Sequence, residues 1–126
     1  MKLEEEQIKN KLFIDGLNSF QDANFYDAHE YWEELWSDYY LKDAKLVQAL
    51  IQLSVGYFHI TNNNKNGALG LLNKCKNKFE MYAPVSRNID IDYVLSCIDN
   101  SIEDLNRIDL MRDFNWKLVP DLRKNG

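Results

Sequence analysis

The residues best placed to do chemistry in this chain are His29 and Glu33. They stand four apart in the run Ala-His-Glu-Tyr-Trp-Glu-Glu-Leu-Trp from Ala28 to Trp36. On a helix, side chains at i and i+4 lie one above the other, so this spacing brings an imidazole and a carboxylate onto one face. At about 100° per residue, Ala28, Trp32, Leu35, Trp36 and Tyr39 share an apolar arc, and Glu30, Glu34 and Asp38 point away from it. His29 and Glu33 fall on the shoulder between the two, flanking Trp36. A titratable pair beside bulky aromatics is what a half-buried polar site requires. A plain structural hydrogen bond requires the same arrangement.

A second set of polar residues lies on the segment Ala44 to Thr61, where Val47, Leu50, Ile51, Leu53, Val55, Tyr57, Phe58 and Ile60 cover most directions. A helix that is apolar nearly all round belongs in the middle of a domain. With Gln52 set to zero, Gln48 lies at about −40°, His59 at about −20° and Gly56 at about +40°, which makes one narrow polar stripe. A buried amide or imidazole without a partner costs roughly 1–3 kcal/mol. The stripe therefore calls for a polar counterpart, and the His29–Glu33 shoulder offers one. Gly56 leaves either a close backbone approach or a small cavity beside it.

Two readings follow. In the first, His29, Glu33, Trp36, Gln48, Gln52 and His59 form a small-ligand site. Its two imidazoles and one carboxylate, His29, His59 and Glu33, then suit a divalent metal, with the glutamines orienting the ligands. In the second, Glu33 accepts a hydrogen bond from His29, the glutamines satisfy one another, and the domain is a structural or protein-interaction module. A homodimer built on the aromatic-rich second helix is one form of that module. Neither the His-Glu-x-x-His pair of zinc proteases nor the Glu-x-x-His pair of di-iron bundles occurs. Ser54 and Ser86 have no identifiable histidine partner for nucleophilic catalysis.

The elements that must position these residues are helical. The first helix is expected from near Glu4 to near Gln21, burying Ile8, Leu12, Phe13, Leu17 and Phe20. The second starts after Asn24 and ends around Tyr40, and the third runs from Ala44 to Thr61 with Asp43 as its cap. A fourth extends from Lys65 or Asn66 to Tyr82, where Pro84 closes it and Ala83 to Asn88 forms a linker. Asp90 caps a fifth helix to about Asn106, with Val94, Cys97, Ile98, Ile102 and Leu105 inward. The tail is expected to lie extended on the bundle through Trp116 and Val119. No alternating strand precedes it. The fold class is all-α, a single-domain bundle of five helices with helix three at its centre.

Composition narrows the function classes. A chain of 126 residues with 45% apolar and 28% charged residues buries a core without staples. The formal charge of −5 provides no Lys/Arg stripe to displace counterions, which argues against a nucleic-acid binder. The greasiest run, Leu46 to Ile60, is too short to span a bilayer, and the start lacks the order of a signal peptide. The two cysteines, Cys75 and Cys97, fall at core positions and make neither a disulfide framework nor a zinc site. A cytoplasmic location is the expectation.

Three blocks together resemble a known family: Ala28 to Trp36 above, Ala-Leu-Ile-Gln-Leu at Ala49 to Leu53, and Asn-Gly-Ala-Leu-Gly-Leu-Leu at Asn66 to Leu72. In this order they are similar to the small helical proteins of domain-of-unknown-function family 309, over roughly Leu12 to Tyr82. The resemblance places His29, Glu30, Glu33, Trp36, Gln52, Gly67 and Ala68 on family positions. Ala49 departs from the glycine often found before Leu-Ile-Gln. The resemblance implies a compact all-helical domain and no established reaction.

Overall fold

The computed structural model describes residues 2–124. Five helices form the body: α1 (Lys2–Gln21), α2 (Phe25–Asp38), α3 (Ala44–Thr61), α4 (Lys65–Phe79) and α5 (Ile91–Arg107). Short turns make consecutive helices neighbours, and two of these turns use left-handed residues, Ala23 (φ 63°) and Asn63 (φ 59°). Helix α3 packs against α2 on one side and α4 on the other, α1 lies on α2, and α5 lies on α4.

The expected central helix is central. Leu46, Leu50, Leu53 and Tyr57 of α3 are all buried completely. Tyr57 ties the layers together, because its hydroxyl lies 2.8 Å from Ser101 Oγ of α5 and its ring meets Phe20, Phe25 and Phe114. A buried phenol needs such a partner. Across α1 and α2, the completely buried Trp32 donates from Nε1 to the Phe13 carbonyl at 3.2 Å.

Several expectations need correction. Ile8 is 46% exposed. At 1.5 Å per residue the twenty residues of α1 span about 30 Å and the fourteen of α2 about 21 Å, so the first turns of α1 overhang the layer. Trp36 is 37% exposed, because Phe25, Ala28, Trp32 and Leu35 fill the buried arc and leave it at the rim. Helix α4 stops at Phe79 and tightens into a 3-10 turn, Glu80–Tyr82. The linker after it holds a two-stranded antiparallel hairpin, β1 (Val85–Ser86) and β2 (Ile89–Asp90), turning on Arg87 and Asn88, both at positive φ. The tail is not extended: it winds into 3-10 turns at Met111–Asp113 and Trp116–Leu118, with Phe114 and Leu122 buried. Gln21 holds it, since Oε1 accepts the Leu122 N–H at 2.6 Å. Cys75 is buried, whereas Cys97 is only half-buried; both thiols are free and pushed up in pKa by burial.

The helix starts fall where Asn24, Asp43 and Asp90 are expected to set them, but only Asp90 caps with its side chain, accepting the Tyr93 N–H at 3.0 Å. Asp43 is otherwise engaged. Its carboxylate takes Nε and Nη2 of Arg87 at 2.6 and 3.0 Å. No described helix is long and apolar enough to cross a membrane.

Candidate functional site

Helix α2 carries the motif on two shoulders of unequal character. Tyr26 lies 5.5 Å, ring to ring, from both His29 and Phe58 of α3, so the His29–Glu33 shoulder is the one turned toward α3. Tyr31, on the opposite shoulder, lies near Lys11 of α1. His29 and Glu33 are half-buried. Among the described residues His29 makes no hydrogen bond to Glu33, and its Nδ1 is buried without a hydrogen-bond partner. The imidazole leans on the Tyr26 ring, three residues before it, rather than on the carboxylate four residues after it. Glu33 makes no ion pair among the described residues.

The α3 stripe has a different partner from the one its pattern suggests. Gln52 Oε1 accepts from Lys78 Nζ of α4 at 3.1 Å. His59 Nδ1 lies 3.3 Å from Asn64 Nδ2. The Asn64 Oδ1 accepts the Gly67 N–H at 2.9 Å and caps α4, so the amide nitrogen faces the imidazole and Nδ1 is the acceptor. Gly56 explains the choice of neighbour. A Cβ there would stand 3.2 Å from Leu72 of α4, so α4 crosses close against the stripe's edge. Gly67 is required for the same reason, because a Cβ would meet Asn64 Nδ2 at 2.6 Å and His59 Cδ2 at 3.0 Å. Gln48, Gln52, Val55 and His59 are each half-buried, on the outer edge of α3 between α2 and α4. Water reaches that edge, so the desolvation penalty that called for a buried polar counterpart is relieved.

The six expected ligand residues thus divide between two helices: α2 carries His29, Glu33 and Trp36, and α3 carries Gln48, Gln52 and His59, of which Gln52 and His59 bond to Lys78 and Asn64. Among the described residues, no group of three or more His, Cys, Asp or Glu side chains is placed to hold a metal ion. His59 is drawn to the start of α4 by Asn64, while His29 is held over Tyr26.

A feature that motif reading passes over is the charge of α2. Its fourteen residues include Asp27, Glu30, Glu33, Glu34 and Asp38 and not one Lys or Arg. The helix alone thus carries a charge equal to that of the whole chain, −5. At 100° per residue Asp27, Glu30, Glu34 and Asp38 share the outer face, and Glu33 stands on its shoulder toward α3. Like charges at i, i+3 and i, i+4 each cost a few tenths of a kcal/mol, and acids in the last turn oppose the helix dipole. No described Lys or Arg pairs with any of them. The hydrogen bond between Tyr26 and Glu30 pushes the phenol above its usual pKa. The absence of basic residues between Phe25 and Asp38 is the sequence signal that could have marked this face.

Comparison with known families places the central part of the chain. Residues 13–71 match the family model described as Domain of unknown function (DUF309), as the three motif blocks indicate. The match runs from α1 into α4 and ends before the hairpin, α5 and the tail. No curated protein and no solved structure matches the chain.

Proposed function

We propose that this chain, a DUF309 domain over residues 13–71 followed by α5 and its tail, is a binding module that recognises a Lys- or Arg-bearing segment of a partner on the outer face of α2. The observation that carries the proposal is the set of five carboxylates held together without a counter-ion from the chain itself. Such an arrangement weakens the isolated domain, and a cost of this kind is typical of a surface kept for binding. Two aromatic rings stand at its border, Tyr26 at 52% and Trp36 at 37% exposure. An ammonium or guanidinium group gains from a carboxylate and an aromatic face together. Glu33, one turn before Trp36 and without an ion pair, is the natural first contact.

Titration of the isotope-labelled protein with a short Arg/Lys-rich peptide tests this. Saturable amide shifts are expected at Tyr26, His29, Glu30, Glu33 and Trp36, weakening with salt. Glu33→Gln and Glu30→Gln are expected to weaken binding without lowering stability. Binding that is absent at low salt, or equal in these variants and the wild type, would refute the proposal and leave the face as a solvated helix surface.

A further inference from the structure

A concave surface beyond the end of α2 carries the basic side chains that the α2 ridge lacks. The N-terminal half of α1, the turn between α2 and α3, and the β1–β2 hairpin enclose an open cleft of about 580 Å³. That volume is within the usual range for small-molecule sites. Three cations reach it from three separate parts of the chain, Lys9, Lys42 and Arg87, beside two lining carboxylates, Glu6 and Asp43. Glu5 adds a third carboxylate 3.8 Å from Lys9 Nζ, so Lys9 and Arg87 are both met by carboxylates, and of the three cations Lys42 is the unpaired one.

Both lining carboxylates are already engaged. Glu6 Oε1 lies 3.2 Å from Lys9 Nζ, which also donates to the Tyr40 carbonyl at 2.9 Å. Asp43 holds Arg87 by two bonds, and the guanidinium carbon sits 4.5 Å above the Phe13 ring. A guanidinium has five N–H donors, so the edge of Arg87 turned away from Asp43 keeps donors to offer. Lys42 is exposed and has no hydrogen bond or ion pair among the described residues. Beside these donors the wall is apolar and aromatic, formed by Leu41 and the largely exposed Tyr40. Arg87 is held there at some conformational cost, since its φ of 48° is a region that side-chain-bearing residues rarely adopt. The hairpin turn would be easier with glycine at this position, but glycine would bring no guanidinium into the cleft.

We infer that this cleft binds a small organic oxyanion, its carboxylate or phosphoryl group held by Lys42 and the free edge of Arg87 and its body against Leu41 and Tyr40. The paired Lys9 and Asp43 set the walls, and Lys42 is the cation still available for a ligand. This site is independent of the α2 ridge, which takes ligands of opposite charge.

The test uses the full chain and four probes: benzoate, phenyl phosphate, inorganic phosphate and benzylamine. Both aryl anions are expected to give saturable amide shifts at Asn10, Leu41, Lys42 and Arg87, tighter than inorganic phosphate, with benzylamine silent there. The order of benzoate and phenyl phosphate decides which head group the cleft selects. Lys42→Gln is expected to weaken the aryl anions by about tenfold, the loss of one charge-assisted bond, with the melting temperature unchanged because Lys42 supports no other residue. The inference is overturned if neither aryl anion binds, if Lys42→Gln binds them as well as the wild type, or if benzylamine perturbs the same amides.

Discussion

Replacing Gly16 with alanine separates tertiary packing from helix propensity more sharply than any other change in this molecule. Gly16 lies inside α1, where propensity alone favours alanine by about 1 kcal/mol. Packing argues the opposite. A Cβ at Gly16 would stand 2.1 Å from Nε1 of Trp32 and 2.5 Å from its Cδ1 and Cε2. Those atoms belong to a rigid ring that is completely buried and tethered to the Phe13 carbonyl. Either α1 and α2 separate or the indole leaves its place and its hydrogen bond. Overpacking of this kind costs about 1–3 kcal/mol and occasionally more, and loss of the bond adds about 1 kcal/mol. The sum exceeds the propensity gain, so the expected net loss is about 2 kcal/mol. Gly70, in α4, is the internal control: nothing lies within 4 Å of its would-be Cβ, and Gly70→Ala is expected to stabilise by up to about 1 kcal/mol. Urea unfolding followed by circular dichroism of both variants reads the two signs side by side. A Gly16→Ala protein as stable as Gly70→Ala would refute the packing of α1 on α2 described above.

Trp32→Ala is expected to cost about 3–5 kcal/mol in the same assay and Trp36→Ala about 1 kcal/mol, because only the first is fully buried. Asn64→Ala removes the side-chain cap of α4 and should cost about 1 kcal/mol, seen as a lower melting temperature. Arg87→Ala should cost about 1–2 kcal/mol at neutral pH, from the charged hydrogen bonds to Asp43 and the contact with Phe13. The Arg87 guanidinium holds the Asp43 carboxyl below its usual range, so this contribution is present above the unfolded carboxyl value of about 4 and fades as pH falls through the folded value. Melting curves of wild type and Arg87→Ala should therefore converge in acid; a gap unchanged down to pH 2 would remove Asp43 as the partner that matters. Glu34→Gln relieves like charges at i−4 and i+4 and should raise stability by a few tenths of a kcal/mol, and a measured fall would mean that Glu34 has a favourable partner.

What the sequence determined by itself was the set of helices and the inward face of most of them. Periodicity near 3.6 is a local property, and it is enough to place Leu12, Phe20, Trp32, Leu50, Leu72 and Ile98 in the core before any partner is known. The family matched over residues 13–71 was likewise legible along the chain. Which helix covers which face depends instead on volumes meeting across the interior. Gly56 admits Leu72, so the polar stripe of α3 is bordered by α4 and solvent rather than by His29 and Glu33. The same holds for the indole of Trp32 seated on Gly16, sixteen positions earlier, and for Arg87 on Asp43, forty-four earlier. No spacing rule couples residues so far apart. The direction of the His29 ring, toward Tyr26 and away from Glu33, was likewise decided by the tertiary structure, because i−3 and i+4 neighbours are equally available on a helix and only the packing of Tyr26 against Phe58 favours one.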